Sequence, residues 1–250
     1  MVLPLFLAKT QNWAMHNTAI SPAAPLTGIS SMATRQLLAE LTQAYAQRCG
    51  QTVAIESVGG VDAAKRVQAG EAFDVVILAS DAMAKLIAAG HLRADSLTPL
   101  VLSGVDVAVP AGSPTPDISS EDAVRQAVLA APTLSYSTGP SGVALAKLFE
   151  RWGIAEQIKP RIVTAPPGVP VGSLVAKGEV ALGFQQLSEL IHVSGITIVG
   201  PLPSAIQITT TFSAAMTTGC TRPAEVQALL DFMASPEAAQ AKLRQGMEPA

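Results

Sequence analysis

From Leu26 onward, short runs of apolar and β-branched residues alternate with longer segments in which apolar residues recur at helical spacing. In the first cycle, a strand over residues 26–29 precedes a helix that is capped by Ser30 and Ser31, runs to about Arg48 and stops at Gly50. A chain that alternates the strand period with the helix period builds a sheet covered by helices. The alternation therefore predicts an α/β fold.

The same two periodicities predict the remaining strands and helices of the chain. Strands are expected at residues 52–57, 73–79, 97–109, 133–137, 161–164, 180–185 and 207–216. Helices are expected at residues 61–69, 80–89, 120–131, 141–152, 169–177, 223–234 and 236–245. The extended stretch over residues 97–109 is expected to carry the chain out of a first lobe and into a second.

Composition excludes two classes of protein. The 250 residues include 16 Lys and Arg against 19 Asp and Glu, and a net charge of −3 gives no electrostatic footprint for nucleic acid. The mean hydropathy is +0.37, but the sequence has no run of about 18 apolar residues that would span a membrane. The apolar residues are therefore expected to fill a core.

The amino terminus gives a weak targeting signal. Residues 1–8 are apolar, but no Lys or Arg precedes them and Lys9 follows directly, whereas an export signal begins with positive charge. Residues 11–25 follow neither the helical nor the strand period. We interpret residues 1–25 as a leader or irregular segment, which leaves both export and a cytoplasmic location open.

Four predicted strand-to-helix turns carry Ser, Thr, Gly or Pro directly before a helix. They span residues 28–31, 57–60, 137–142 and 167–170. In parallel α/β sheets such turns gather at the carboxyl ends of the strands. The unpaired N–H groups of a helix start and nearby hydroxyls bind anions without a cation, although a single turn more often caps its own helix. Four turns together predict an anion site.

The sequence contains no signature of catalysis or metal binding. It has no GxxxxGK[ST], GxSxG, HExxH or CxxC motif, and its three histidines are far apart. No cofactor and no metal are therefore expected. Cys49 and Cys220 either pair, if the protein is exported, or serve as small apolar residues in separate elements.

Three basic residues lie near the predicted turns. Lys65 and Arg66 follow the 57–60 turn by about one helical turn, and Arg35 lies in the first turns of its helix. A cation that reached a cleft from there would pair with a carboxylate, whereas a cation on a solvated helix face is the commoner arrangement. We therefore include Lys65 or Arg66 in the site only for a carboxylate ligand.

From Leu26 to the carboxyl terminus the chain resembles the periplasmic molybdate-binding proteins and related type II solute-binding proteins. The matching segments are residues 29–31, 68–77, 141–142, 175–184 (VAKGEVALGF), 235–239 and 246–249. The resemblance implies two α/β lobes joined by a two-strand hinge, which close on an oxyanion and usually serve an ABC importer. From the sequence pattern and this resemblance, we expect one lobe at residues 26–103 and 205–250, and the other at residues 104–204.

The turns and the resemblance together indicate the ligand-binding residues. The predicted set is Ser30, Ser31, Gly60, Ser141, Gly142, Val171 and Gln186, with Lys65 or Arg66 for a carboxylate. The family's molybdate site has a serine where this chain has Gly59 or Gly60, and a tyrosine where it has Gln186. Because these two hydroxyl donors are missing, an organic carboxylate becomes an alternative to molybdate.

Residues 183–190 are similar to a divergent branch of the family that includes bacterial aconitate isomerase. This resemblance implies an alternative function, a cofactor-free isomerase that moves a proton within a di- or tricarboxylate. A cationic clamp would come from Arg35, Lys65 or Arg66, and the sequence identifies no base. The preferred hypothesis is a monomeric binding protein whose partners are a small anion and an ABC permease, without nucleic acid. The family implies a periplasmic location, and a missing export signal would favour the isomerase or a cytosolic sensor.

Overall fold

The computed structural model describes residues 24–166 and 168–250 of the chain. The predicted leader therefore lies outside the described residues, apart from residues 24 and 25. The helices are α1 (Arg35–Cys49), α2 (Gly60–Gln68), α3 (Ser80–Ala88), α4 (Glu121–Ala130), α5 (Pro140–Arg151), α6 (Ala155–Ile158), α7 (Val171–Ala176), α8 (Leu187–Leu190), α9 (Pro223–Ala234) and α10 (Ala239–Arg244). The strands are β1 (Leu26–Ser31), β2 (Val53–Val58), β3 (Val75–Ala79), β4 (Thr98–Pro110), β5 (Leu134–Tyr136), β6 (Leu182–Gln186), β7 (Ile196–Pro201), β8 (Thr209–Met216) and β9 (Glu248–Pro249).

Strand β4 belongs to two sheets. In the first sheet, β1 lies between β2 and β3 and runs parallel to both, and the antiparallel strands β8 and β4 extend the order to β2-β1-β3-β8-β4. In the second sheet, β6 and β7 flank β4 in antiparallel, and β5 lies beyond β6 and parallel to it. The chain therefore has the two-lobed α/β fold that the sequence predicted.

Each sheet is packed on both faces by apolar side chains. The two clusters on the first sheet draw on residues 26–101 and 212–247, and include Leu37 of α1 and Met83 of α3 on opposite faces. The two clusters on the second sheet draw on residues 105–208, and include Phe149 of α5 and Val175 of α7. Because helices cover both faces of each sheet, the strand ends, and not the faces, are left for binding. The residue boundaries of the lobes given above stay a prediction.

Strand β4 crosses between the sheets at Gly104 and Val105. Gly104 is the last residue of β4 that pairs with β8, opposite Thr209, and Val105 is the first that pairs with β6, opposite Gln186. The side-chain amide of Gln207 binds the backbone at this crossing. The Val105 N–H donates to Gln207 Oε1 at 3.1 Å, and Gln207 Nε2 donates to the Val105 carbonyl at 3.2 Å. The amide thus replaces a neighbouring strand where the two sheets separate.

The predicted strand over residues 161–164 is wrong. Residues Lys159–Arg161 form a 3-10 turn, and Ile162 makes a single bridge to Leu134 of β5. Pro160 lacks the N–H that a strand ladder needs. The Arg161 guanidinium also donates to two carbonyls at the end of α4, at 2.6 and 2.9 Å, which fixes this segment as a turn.

Two further expectations differ from the structure. The sequence analysis expected Ser30 and Ser31 to cap the first helix, whereas both lie in β1 and no side chain caps α1. Strand β7 (Ile196–Pro201) was not predicted; it follows Gly195 and contains Gly200, and both glycines adopt positive φ. Gly195 precedes the strand, and Gly200 lies within it beside a register shift in its pairing with β4, a place where glycine's conformational freedom is needed.

Cys49 and Cys220 are free thiols. The Cys49 Sγ donates to the Tyr45 carbonyl at 3.2 Å, and Cys220 packs against the first-lobe core. The structure therefore agrees with the interpretation of two separate small residues. Within the described part of the chain, no helix is long and apolar enough to cross a membrane.

Replacement of Gln207 by leucine is expected to lower the free energy of unfolding by about 1–2 kcal/mol, because the buried Val105 N–H loses its acceptor. Urea denaturation followed by circular dichroism measures the change. Gln157→Leu, at an exposed position of α6, is the control and should change stability little. Equal effects of the two substitutions would contradict the role assigned to the Gln207 amide.

Candidate functional site

Most of the residues predicted to bind an anion follow the carboxyl ends of parallel strands in both lobes, whereas Val171 begins α7 after a segment that makes only the single bridge at Ile162. Strands β1 and β2 end together in the first lobe, and β5 and β6 end together in the second. Two contacts join these edges. Helix α8, which follows β6, packs against the turn Met32–Thr34, which follows β1, and α5 packs against β8 of the first sheet. The predicted residues of the two lobes therefore lie on neighbouring segments.

Ser31 is the first-lobe side chain that is best placed to bind a ligand. Its hydroxyl is buried and has no hydrogen-bond partner, whereas the Ser30 hydroxyl lies 2.7 Å from the Ser57 hydroxyl and is used within the lobe. Gly60, the first residue of α2, is its neighbour, since a Cβ at Gly60 would lie 3.6 Å from the Ser31 Cβ. An enclosed hydroxyl without a partner is destabilising, so Ser31 is a strong candidate for a ligand contact.

Lys65 and Arg66 lie at the other end of α2, in its last turn. The Arg66 guanidinium binds Glu56 at 2.7 Å and Glu71 at 2.6 Å, and its hydrogen bonds hold the pKa of both carboxyls below their usual range. Lys65 is exposed and lies 3.9 Å from Asp62. The structure therefore gives both cations partners on their own lobe and does not bring them to the end of α2 that carries Gly60.

Arg35 is the third basic residue near the turns. It lines an open groove of about 640 Å³ between α1 and β2, together with Thr42 and Ser57. No carboxylate of the described residues forms a salt bridge with it. Because Ser57 binds the Ser30 hydroxyl, this guanidinium lies near the first-lobe edge and is free to bind an anion.

Ser141 and Gly142 form a tightly packed helix start in the second lobe. The Ser141 hydroxyl lies 2.9 Å from the Ser137 hydroxyl, at the end of β5. A Cβ at Gly142 would lie 1.5 Å from the Ser137 carbonyl oxygen, so glycine alone fits there. The close approach folds the first turn of α5 back onto the 137–142 turn and holds the two hydroxyls together.

Val171 and Gln186 are both buried, at the starts of α7 and α8. Val171 belongs to the apolar cluster beneath α7, and any contact from it to a ligand would use its backbone. Gly172 N–H is already bound by the Gln185 Oε1 at 2.9 Å. Gln186 is the last residue of β6, directly before α8, and pairs with Val105 where β4 crosses between the sheets.

Ser188 is a candidate that the sequence analysis missed. It lies in α8, and its hydroxyl is buried without a hydrogen-bond partner, as is that of Ser31. Since α8 packs against the turn that follows Ser31, the two unpartnered hydroxyls come from adjoining segments of different lobes. The sequence offered no signal for Ser188, because a serine two residues into a short helix has no characteristic spacing.

Two carboxyls near the end of β6 were also missed. Asp106 of β4 is 5 % exposed, and burial raises its pKa to about 6. Burial raises the pKa of Glu189 in α8 to about 7, against a smaller opposite effect of the Gln185 side chain. Both pKa values lie close to neutral pH, where a carboxyl can donate a proton as well as accept one. Within the described ranges, no group of three metal-ligating side chains is assembled.

Asp106→Asn is expected to be more stable than the wild type above pH 7. The folded pKa of Asp106 lies above its unfolded value, so its contribution to stability is complete at low pH and is lost as the pH rises through about 6. The free energy of unfolding of the variant, relative to that of the wild type, should fall by roughly 2 kcal/mol from pH 7.5 to pH 4.5. Urea denaturation at both pH values measures it, with the exposed Asp122→Asn as control. The same pH dependence in both variants would contradict the burial of an unpaired Asp106.

The described fold is that of known solute-binding proteins. The periplasmic molybdate-binding protein of Azotobacter vinelandii has a similar structure, with a TM-score of 0.74 and 20 % identity over 89 % of this chain and 98 % of that one. The tungstate ABC transporter structure from Geobacter sulfurreducens gives a TM-score of 0.69 and 15 % identity over 87 % of this chain and 97 % of that one. At such identities these likenesses establish the fold.

Sequence comparison establishes the family. An aconitate isomerase of a Pseudomonas species is 38 % identical over 239 residues, which cover 92 % of this chain and 90 % of that protein. The sequence profile of the family described as bacterial extracellular solute-binding protein matches residues 26–248. The resemblance stated from the sequence is confirmed, and this chain belongs to the bacterial extracellular solute-binding protein family.

Proposed function

We propose that this protein captures a small anion between its lobes and delivers it to an ABC importer. The observation that carries the proposal is the pair of hydroxyls of Ser31 and Ser188, which are enclosed, unpartnered and on segments of different lobes that pack together. An anion oxygen accepts hydrogen bonds from both, and so satisfies two donors that are costly to leave unpaired. Binding that joins the two lobes also favours their closure.

The donor set favours an anion bound mainly by neutral groups. The predicted residues Ser31, Ser141 and Gln186 offer hydroxyl and amide donors, and the start of α5 adds backbone N–H groups. Lys65 and Arg66 have partners elsewhere, which leaves Arg35 as the nearby cation. Both an oxyanion and a small organic carboxylate fit this set. The names of the two similar structures favour the first, and the name of the Pseudomonas relative favours the second.

The location, the partner and the oligomeric state belong to the same proposal. A capture protein of an importer works outside the inner membrane, so we assign this chain to the periplasm, with an ABC permease as its partner. We propose that it acts as a monomer and binds no nucleic acid. Size-exclusion chromatography with light scattering measures the molar mass in solution and so tests whether the protein is a monomer.

A thermal-shift screen tests the proposed capture. Molybdate, tungstate, sulfate, phosphate, citrate and both isomers of aconitate are added to the purified protein, and the anion that binds the folded state raises the melting temperature. No shift with any of them would contradict the proposal.

The Ser31→Ala and Ser188→Ala variants are expected to bind the stabilising anion roughly 5- to 30-fold more weakly, since each loses one hydrogen bond to a charged group. Isothermal titration calorimetry measures the affinity. Ser194→Ala, at an exposed position of the second lobe, is the matched control and should bind as the wild type does. Unchanged affinity in both test variants would remove the observation on which the proposal rests.

A second candidate function is isomerisation of a tricarboxylate in the same cleft. It is favoured by the unpaired Arg35, which can hold a carboxylate, and by Asp106 and Glu189, whose pKa values near neutral pH suit proton transfer. Proton NMR of cis-aconitate incubated with the protein distinguishes the two functions. Appearance of the trans isomer establishes turnover, and its absence at saturating substrate leaves capture alone.

A further inference from the structure

We propose that Asp106 binds the captured anion through a protonated carboxyl, so that capture weakens as the pH rises. The inference rests on the proposed anion capture and names a residue of that site that neither the sequence motifs nor the family's pattern indicated. Three features of the structure lead to it: the position of Asp106 at the lobe crossing, its burial, and the absence of a cation on the elements packed against it.

Asp106 lies at the end of the second sheet that faces the first lobe. It pairs with Gln185, one register step from the pair of Val105 and Gln186 where β4 enters this sheet. Antiparallel partners project to the same face, so Asp106 shares the face of Gln185, which α7 covers through the hydrogen bond from Gly172 N–H. The carboxyl is therefore placed beside the edge from which α8 reaches the first lobe.

The elements that make the main contacts with β4 supply no cation to this carboxyl. Strands β6, β7 and β8 and helix α7 carry no ionisable side chain, and α8 carries Glu189 alone. On the first-lobe side of the crossing, α9 and β9 pack against β4 and contribute only the acidic residues Glu225, Asp231 and Glu248. Burial alone accounts for the raised pKa of Asp106, with no ion pair or hydrogen bond to lower it.

An ionised carboxylate in this position would oppose an anion in the adjoining cleft. Two negative charges at short range repel strongly where water is excluded, and none of the elements named above carries a cation that would offset the repulsion at Asp106. The neutral carboxyl instead offers an O–H donor, which an anion oxygen accepts. Protonated Asp106 thus adds a donor to the hydroxyls of Ser31 and Ser188, and ionised Asp106 removes it.

Calorimetric titration of the full chain with molybdate and with trans-aconitate at pH 6, 7 and 8 tests the inference. Molybdate keeps one protonation state over this pH range, so any change in its affinity comes from a group of the protein that titrates. The wild-type Kd is expected to rise by roughly tenfold for each pH unit above 7, because each pH unit lowers the protonated fraction of Asp106 by about tenfold. Asp106→Asn keeps a neutral donor of the same shape and is expected to bind at all three pH values about as well as the wild type does at pH 6.

Two variants control for charge and for the neighbouring acid. Asp122→Asn removes an exposed carboxylate from the same lobe and should keep the wild-type pH profile, whereas Glu189→Gln tests whether the neighbouring acid causes the pH dependence. Circular dichroism of each variant at pH 8 checks that it is folded. A flat profile in Glu189→Gln with an unchanged profile in Asp106→Asn would overturn the assignment to Asp106.

The remaining outcomes separate this inference from the function on which it rests. Binding of either probe with one and the same pH profile in the wild type and Asp106→Asn would overturn the role of Asp106 and leave anion capture standing. Loss of binding in folded Asp106→Asn at pH 6 would also overturn it, since a neutral donor would then be insufficient. Failure of the wild type to bind either probe at pH 6 would overturn the inference together with capture of these anions.

Discussion

The architecture depends on one strand that takes part in two sheets. Strand β4 pairs with β8 up to Gly104 and with β6 from Val105, so a single extended segment carries the chain between lobes without interrupting its backbone hydrogen bonding. At the crossing the neighbouring strands diverge, and the Gln207 side chain supplies the bonds that a strand would otherwise provide. Backbone groups buried at such a point require partners, and a side-chain amide, which both donates and accepts, can satisfy an N–H and a carbonyl at once.

The crossing also determines where a ligand can bind. Helices cover both faces of each sheet, so polar groups gather at the strand ends, and the crossing places the ends of β1 and β6 next to each other. There the chain buries hydroxyls and carboxyls that its own residues leave unpaired, including Ser31, Ser188 and Asp106. Of the five buried side-chain atoms without a hydrogen-bond partner in the described residues, the hydroxyls of Ser31 and Ser188 lie on segments of different lobes that pack together, where one ligand can satisfy both.

Much of the fold was predictable because periodicity reports burial directly. The apolar faces of α1 and the apolar runs of β3 and β6 could be read from spacing, since each side chain's environment follows from its element's period. The turns at Ser31 and Ser141 were predictable for the same reason, because they follow strands that the pattern had already defined. The segment after Pro160 was not, since its turn depends on contacts from Arg161 to a distant helix end.

The sequence by itself determined the α/β class and the turns rich in hydrogen-bond donors, because these follow from local spacing and residue type, and its resemblance to solute-binding proteins implied the two lobes. Only the tertiary structure decided which of those donors are free. Pairing with Glu56 and Glu71 occupies Arg66, pairing with Ser57 occupies Ser30, and burial raises the pKa of Asp106. The availability of a polar group is a property of its surroundings, and those surroundings come from residues far away in the chain.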